Sequence, residues 1–246
     1  MKRTAVPRRR SSTKMSARTR REGLDESTKR RLRFLAGFAA YFVALWFLWG
    51  TPVVYPLKVF VVLLHEISHG IAAVASGGSI ERILLDLNEG GACYCPGGNA
   101  FVTLTAGYLG SLAWGVLLLL IATGKPRRHR VTLMVVGVVL TIMTVLYVRT
   151  LFGIGFGVLA GLALVGASRR LAPPVNQAIL TVLGLTSCLY AILDIKSDII
   201  DRPGLRSDAA MLHELTGVPT LVWGFLWIAV AILVAGLLFR RLYRQA

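Results

Sequence analysis

Seven long apolar runs dictate what this chain can fold into. They cover roughly residues 34–50, 54–76, 103–123, 131–148, 151–168, 175–195 and 217–239. A helix needs about 20 mostly apolar residues to cross a bilayer, and within lipid it satisfies its own backbone polar groups. The runs therefore predict an all-α polytopic membrane protein with about six or seven transmembrane helices. Charged residues make up only 16% of the 246, and hydrophobic ones 55%, which excludes an ordinary soluble domain, in which about a quarter are charged. The segments between runs carry turn formers and basic residues, as in "GKPRRHR", "RRLAPP" and "RPGLRSD". Only Arg149 and Thr150 separate the fourth run from the fifth, so that boundary is weak.

Between the second and third runs the pattern changes. Residues 79 to 102, "SIERILLDLNEGGACYCPGGNAFV", alternate apolar and polar positions about a Gly-rich turn. This predicts a short membrane-associated β-hairpin. At membrane depth such backbone is tolerated only where it is buried in protein or lines a water-filled cavity.

The charge is concentrated at the start. Of the 28 Lys and Arg, 13 fall within residues 1–33, with no apolar period. Residues 1–33 read as a disordered basic cytoplasmic tail resting on anionic lipid, and 34–246 as the transmembrane domain, with its core at 54–200. No nucleic-acid partner is expected, because a spanning helix follows the tail at once. Basic residues summed over all loops place the N-terminus inside, although the short loops alone point the other way. The expected location is the plasma membrane of a prokaryote, with the N-terminus cytoplasmic. Cys93, Cys95 and Cys188 are odd in number and suggest no disulfide framework.

The second run holds "HEISH", His65 to His69. Ionisable residues inside a membrane segment are costly and mark function. Residues i and i+4 share a helix face, so His65 and His69 can offer two ring nitrogens to one metal ion, with Glu66 placed to activate a water. This is the logic of the H-E-x-x-H motif. Catalytic zinc takes three protein ligands and a water, and zinc is the metal that best suits these ligands. For the third ligand the sequence offers Asp194, at the end of the sixth run, and Asp198, four residues on, as an alternative ligand or as a group that orients a His. Asp208 and His213, in the polar loop before the last run, are weaker candidates. His129, in a basic loop, reads as solvated.

These residues resemble the site-2 protease family of intramembrane zinc metallopeptidases. Within it, the closer likeness is to a compact membrane-peptidase branch, over roughly residues 54–235. The resemblance rests on "HEISHGIAAVASGGSIERILLD", "GGNAFVTLTAGYLGSLAWG", "LDIKSD" and "SDAAMLHELTGVPTLVWGFLW". It implies zinc held by His65, His69 and Asp194, with Glu66 as the catalytic base. The partner would be a membrane-embedded protein substrate that pairs as an extended strand with the hairpin. Asn99 would either hold the scissile carbonyl or cap its turn. The chain departs from the better-known members in that Ile195, not Gly, follows Asp194. A metal-binding membrane protein without peptidase activity, a transporter or an inactive scaffold, is the alternative.

Overall fold

The computed structural model describes residues 12–88, 90–196 and 206–245. Its elements in chain order are α1 (Ser12–Leu48), α2 (Tyr55–Ala75), β1 (Arg82–Leu85), β2 (Gly91–Tyr94), α3 (Ala100–Ala122), α4 (Pro126–Tyr147), α5 (Leu151–Arg170), α6 (Pro173–Lys196), α7 (Asp208–Thr216) and α8 (Thr220–Gln245). Among the described residues, seven helices are long and apolar enough to cross a membrane: the part of α1 from Arg31, then α2 to α6, and α8. Each coincides with one of the seven apolar runs to within about five residues. The all-α polytopic class with one small hairpin is the observed architecture.

Two compact units make up the chain. One contains α1 and the chain from Phe239 onward; the other is Trp49–Leu238. In the first, the rings of Phe38 and Phe239 meet edge to face at 5.1 Å, and Arg31 lies over Tyr243. Residues 12–33, expected to be disordered, form the N-terminal part of α1. Arg, Lys, Met and Ala are good helix formers, and extending an existing helix costs less than nucleating one. Residues 1–11 lie outside the described residues.

The second unit is built around α2. Of its most apolar window 78% is buried, against 47% or less in every other span. Its neighbours α3 and α6 pack closely because small residues face each other. A Cβ on Gly115 would come within 2.8 Å of the Gly184 carbonyl, and Ser187 Oγ donates to the Ser111 carbonyl at 2.7 Å. The Gly107, Ser111 and Gly115 spacing thus serves contact within the chain, as small residues do between membrane helices.

The hairpin pairs β1 antiparallel to β2, with Arg82 opposite Tyr94 and Leu85 opposite Gly91. Asp86 closes the turn: its Oδ1 accepts from the amides of Asn88 and Gly90 at 2.7 and 3.0 Å. The weak boundary near Arg149 proves structural. Val148 bridges to Ile83 in parallel, and the Arg149 amide donates to the Ile83 carbonyl at 3.0 Å. Thr150 Oγ1 donates to the Leu85 carbonyl at 2.8 Å and caps the Gly153 amide of α5. The break between α4 and α5 therefore covers the outer edge of β1. Among the described residues no strand pairs with the other edge, that of β2.

Three further expectations change. Cys93 and Cys95, read as forming no disulfide framework, are bonded to each other across the end of β2 with their Cα atoms 5.5 Å apart. His129 is not solvated: α4 begins at Pro126, earlier than the hydropathy suggested, and carries it into the interior at 2% exposure. The polar stretch before the last run contains α7, capped by Ser207, whose side chain accepts from the Ala210 amide, and ended by Gly217 in the left-handed region at φ 73°.

Candidate metal centre

His65, Glu66 and His69 lie in the C-terminal half of α2, and all three are buried. One helical turn apart, the two imidazoles face the same way, their ring centroids 4.8 Å from each other. Each ring is oriented from outside. His69 Nδ1 donates to the carbonyl of Thr103 on α3 at 2.7 Å. That bond places the proton on Nδ1 and leaves the Nε2 lone pair free for a metal, the usual outer-shell arrangement. The His65 ring meets Tyr108 edge-on at 5.1 Å, and Tyr108 in turn packs against Trp227 at 4.8 Å.

The carboxylate that joins the two Nε2 atoms is Asp208, at the start of α7. Its Oδ2 lies 3.1 Å from His65 Nε2 and 3.2 Å from His69 Nε2. Asp194, expected as the third ligand, comes instead to the far nitrogen of His65, with Oδ2 4.0 Å from Nδ1. The place of Asp194 at the end of the sixth run does not reveal that α7 folds back and brings its first residue, Asp208, to both imidazoles. Asp198 lies outside the described residues. Asn99 is the N-cap of α3: its Oδ1 accepts from the Val102 amide at 3.1 Å, and the side chain is exposed. Of its two expected roles, the structure displays the cap.

One signal for Asp208 was present in the sequence. Ser207-Asp208 followed by Gly217 is a helix start and stop, and an acidic residue just inside such a start is favoured by the helix dipole. Burial raises the Asp208 carboxyl, but the His69 and His65 imidazoles outweigh it and hold the group below the usual carboxylate range.

The His65, His69 and Asp208 donor atoms lie within 4.8 Å of one another, and all three residues are buried. Two imidazoles and a carboxylate form a donor set suited to zinc. The residues present fit a metal ion.

The site opens into a cavity of about 840 Å³. Glu66 and the imidazoles form one wall, and the hairpin from Gly90 to Gly98 forms another. The backbone amide of Cys93 on β2 lies toward the Glu66 carboxylate. Gly91 approaches so closely that a Cβ there would fall 2.5 Å from Glu66 Oε1. Asp194 and Tyr190 of α6 also line the cavity.

Compared with known proteins, residues 38–238 match the model of a family described as Peptidase M50B-like. The chain belongs to the Peptidase M50B-like family. No curated protein and no solved structure matches it. With seven apolar helices, this family member is an integral, multi-pass membrane protein of a peptidase family.

Proposed function

We propose that this M50B-like protein is an intramembrane zinc endopeptidase that hydrolyses peptide bonds in or near transmembrane segments of other proteins. The observation that carries the reading is Glu66. It stands beside two imidazoles and a carboxylate whose donor atoms converge, on the wall of a cavity bounded by an open strand edge. A site that only stored or moved a metal has no use for a base there.

His65 Nε2, His69 Nε2 and Asp208 Oδ2 would hold zinc, which when bound supplies Lewis-acid polarisation of a water and of the substrate carbonyl. Asp194 Oδ2 stands 4.0 Å from His65 Nδ1, too far for a hydrogen bond, and adds negative charge beside that ring. Glu66 accepts the proton of the attacking water and returns it to the leaving amine. The β2 backbone at Gly91 and Cys93 lies against the Glu66 carboxylate.

A transmembrane helix keeps its amides in its own hydrogen bonds, so a substrate must unwind before it is cut. The open edge of β2 offers replacement partners by strand addition. The N-terminus is proposed to be cytoplasmic. With α1 and α2 both crossing, the hairpin and α7 then lie toward that same face, in the membrane of a prokaryotic cell.

Glu66→Gln tests the reading. In proteoliposomes carrying a panel of single-span reporter proteins, the parent should release new termini detectable by mass spectrometry. The variant should bind as much zinc and release none. Cleavage that survives the substitution removes Glu66 from the chemistry, and the peptidase reading as stated goes with it.

A further inference from the structure

Glycine is a poorer helix former than alanine, so a buried glycine in the middle of a span needs a reason. Gly107 on α3 is buried and faces the two imidazoles. A Cβ built on it would stand 2.4 Å from His65 Nε2 and 2.5 Å from His69 Nε2. A zinc–imidazole bond is about 2.0–2.1 Å long. A side chain at 107 would thus approach both nitrogens almost as closely as the metal itself. We infer that Gly107 is a positioning residue of the metal centre, whose missing side chain keeps the shared coordination face of His65 and His69 open. The inference rests on the metallopeptidase reading and extends it to α3.

The surrounding contacts leave the clash no easy relief. Thr103, one turn earlier on α3, holds His69 Nδ1 at 2.7 Å. One turn later, Gly110 sits against Ser68, where a Cβ would fall 2.4 Å from the side chain. Beyond it, Trp114 Nε1 donates to Ser68 Oγ at 3.2 Å. α3 is fixed to α2 on both sides of Gly107. The His65 ring cannot turn away, because Tyr108 packs edge-on to it and Trp227 backs Tyr108. The protein must therefore lose the metal's place rather than shift a helix.

The test is zinc per chain in the full-length protein purified in detergent, with the absorption spectrum of the cobalt-substituted form as a second readout. The parent should hold about one zinc. Gly107→Ala should lose zinc by at least about tenfold and lose the cobalt bands. Gly110→Ala, an equal steric insult one turn along the same interface but away from the nitrogens, should keep both. Thermal unfolding covers the case in which Gly107→Ala folds poorly. In a His65→Ala/His69→Ala background the clashing atoms are gone, so adding Gly107→Ala should no longer lower the Tm.

Three results overturn the inference: zinc retained in Gly107→Ala, equal zinc loss in Gly110→Ala, or a Tm penalty that persists without the imidazoles. A parent that takes up no zinc when supplied with it overturns the metallopeptidase reading too. That outcome is seen before any variant is made.

Discussion

Two aspartates near one histidine do different work, decided by which nitrogen each approaches. Asp208 meets the Nε2 atoms of His65 and His69, while Asp194 meets Nδ1 of His65. A ligand and a nearby charge have different mutational signatures. Asp208→Ala should abolish zinc binding. Asp194→Asn, which removes a charge 4.0 Å from His65 Nδ1 but no hydrogen bond to it, should keep zinc bound and lower its affinity by less than about tenfold. Zinc titration of both variants checks this; total loss in Asp194→Asn with retention in Asp208→Ala would exchange the two roles. The His pair was legible in the sequence because helical spacing fixes it. The carboxylate that meets them was not, because Asp208 comes from a separate helix.

At the scale of elements, the hairpin has a definite polarity. The Asp86 amide donates to the Gly90 carbonyl. With Leu85 opposite Gly91, antiparallel alternation turns the backbone of Ala92 and Tyr94 toward β1 and that of Gly91 and Cys93 toward the open edge. The Cys93 amide, which lies toward Glu66, accords with this. Cys93→Pro removes that amide, while Cys93→Ala removes the same sulfur and keeps it. Proline is tolerated where a strand's N–H faces away from its partner. Both variants should fold and bind zinc, and reporter cleavage should fall much further in Cys93→Pro; equal cleavage would exclude the amide from the reaction.

The helix α7 makes a related point. Ser207 caps it, and Asp208 is its first residue. Ser207→Ala should destabilise the helix by about 1 kcal/mol and weaken zinc binding with it, measurable as a lower Tm and a lower zinc affinity in the same preparation. The hairpin was legible from alternation about a Gly-rich turn. The α7 cap was legible too, but not where the helix lies.

For the whole molecule, the two termini report how many helices cross. Strict alternation over seven spans would put the two termini on opposite sides of the membrane, but Arg31 over Tyr243 and Phe38 against Phe239 run α1 antiparallel to the end of α8 and set the two termini on one side. Epitope tags at both ends should therefore share one fate when protease is added outside intact cells, with an even number of crossings. One tag cut and the other protected would mean that all seven helices cross and that α1 does not pair with the end of α8. The cluster of 13 basic residues before the first span favours the stated orientation, and site and hairpin then face the cytoplasm.

The sequence by itself determined the membrane class, the seven helices, the hairpin and the paired imidazoles with their glutamate. Each follows from a local rule: the length of an apolar run, alternation along a strand, or the i, i+4 spacing of a helix. What only the tertiary structure decided joins residues far apart in the chain. Asp208 lies 143 positions from His65, Cys93 reaches Glu66 from a strand, and Gly107 clears the metal's place from a third element. No periodicity records such meetings, because they depend on how α3, α7 and the hairpin pack around α2. The sequence marked where a metal could bind; packing brought Asp208 to the two imidazoles and the hairpin to the wall of their cavity.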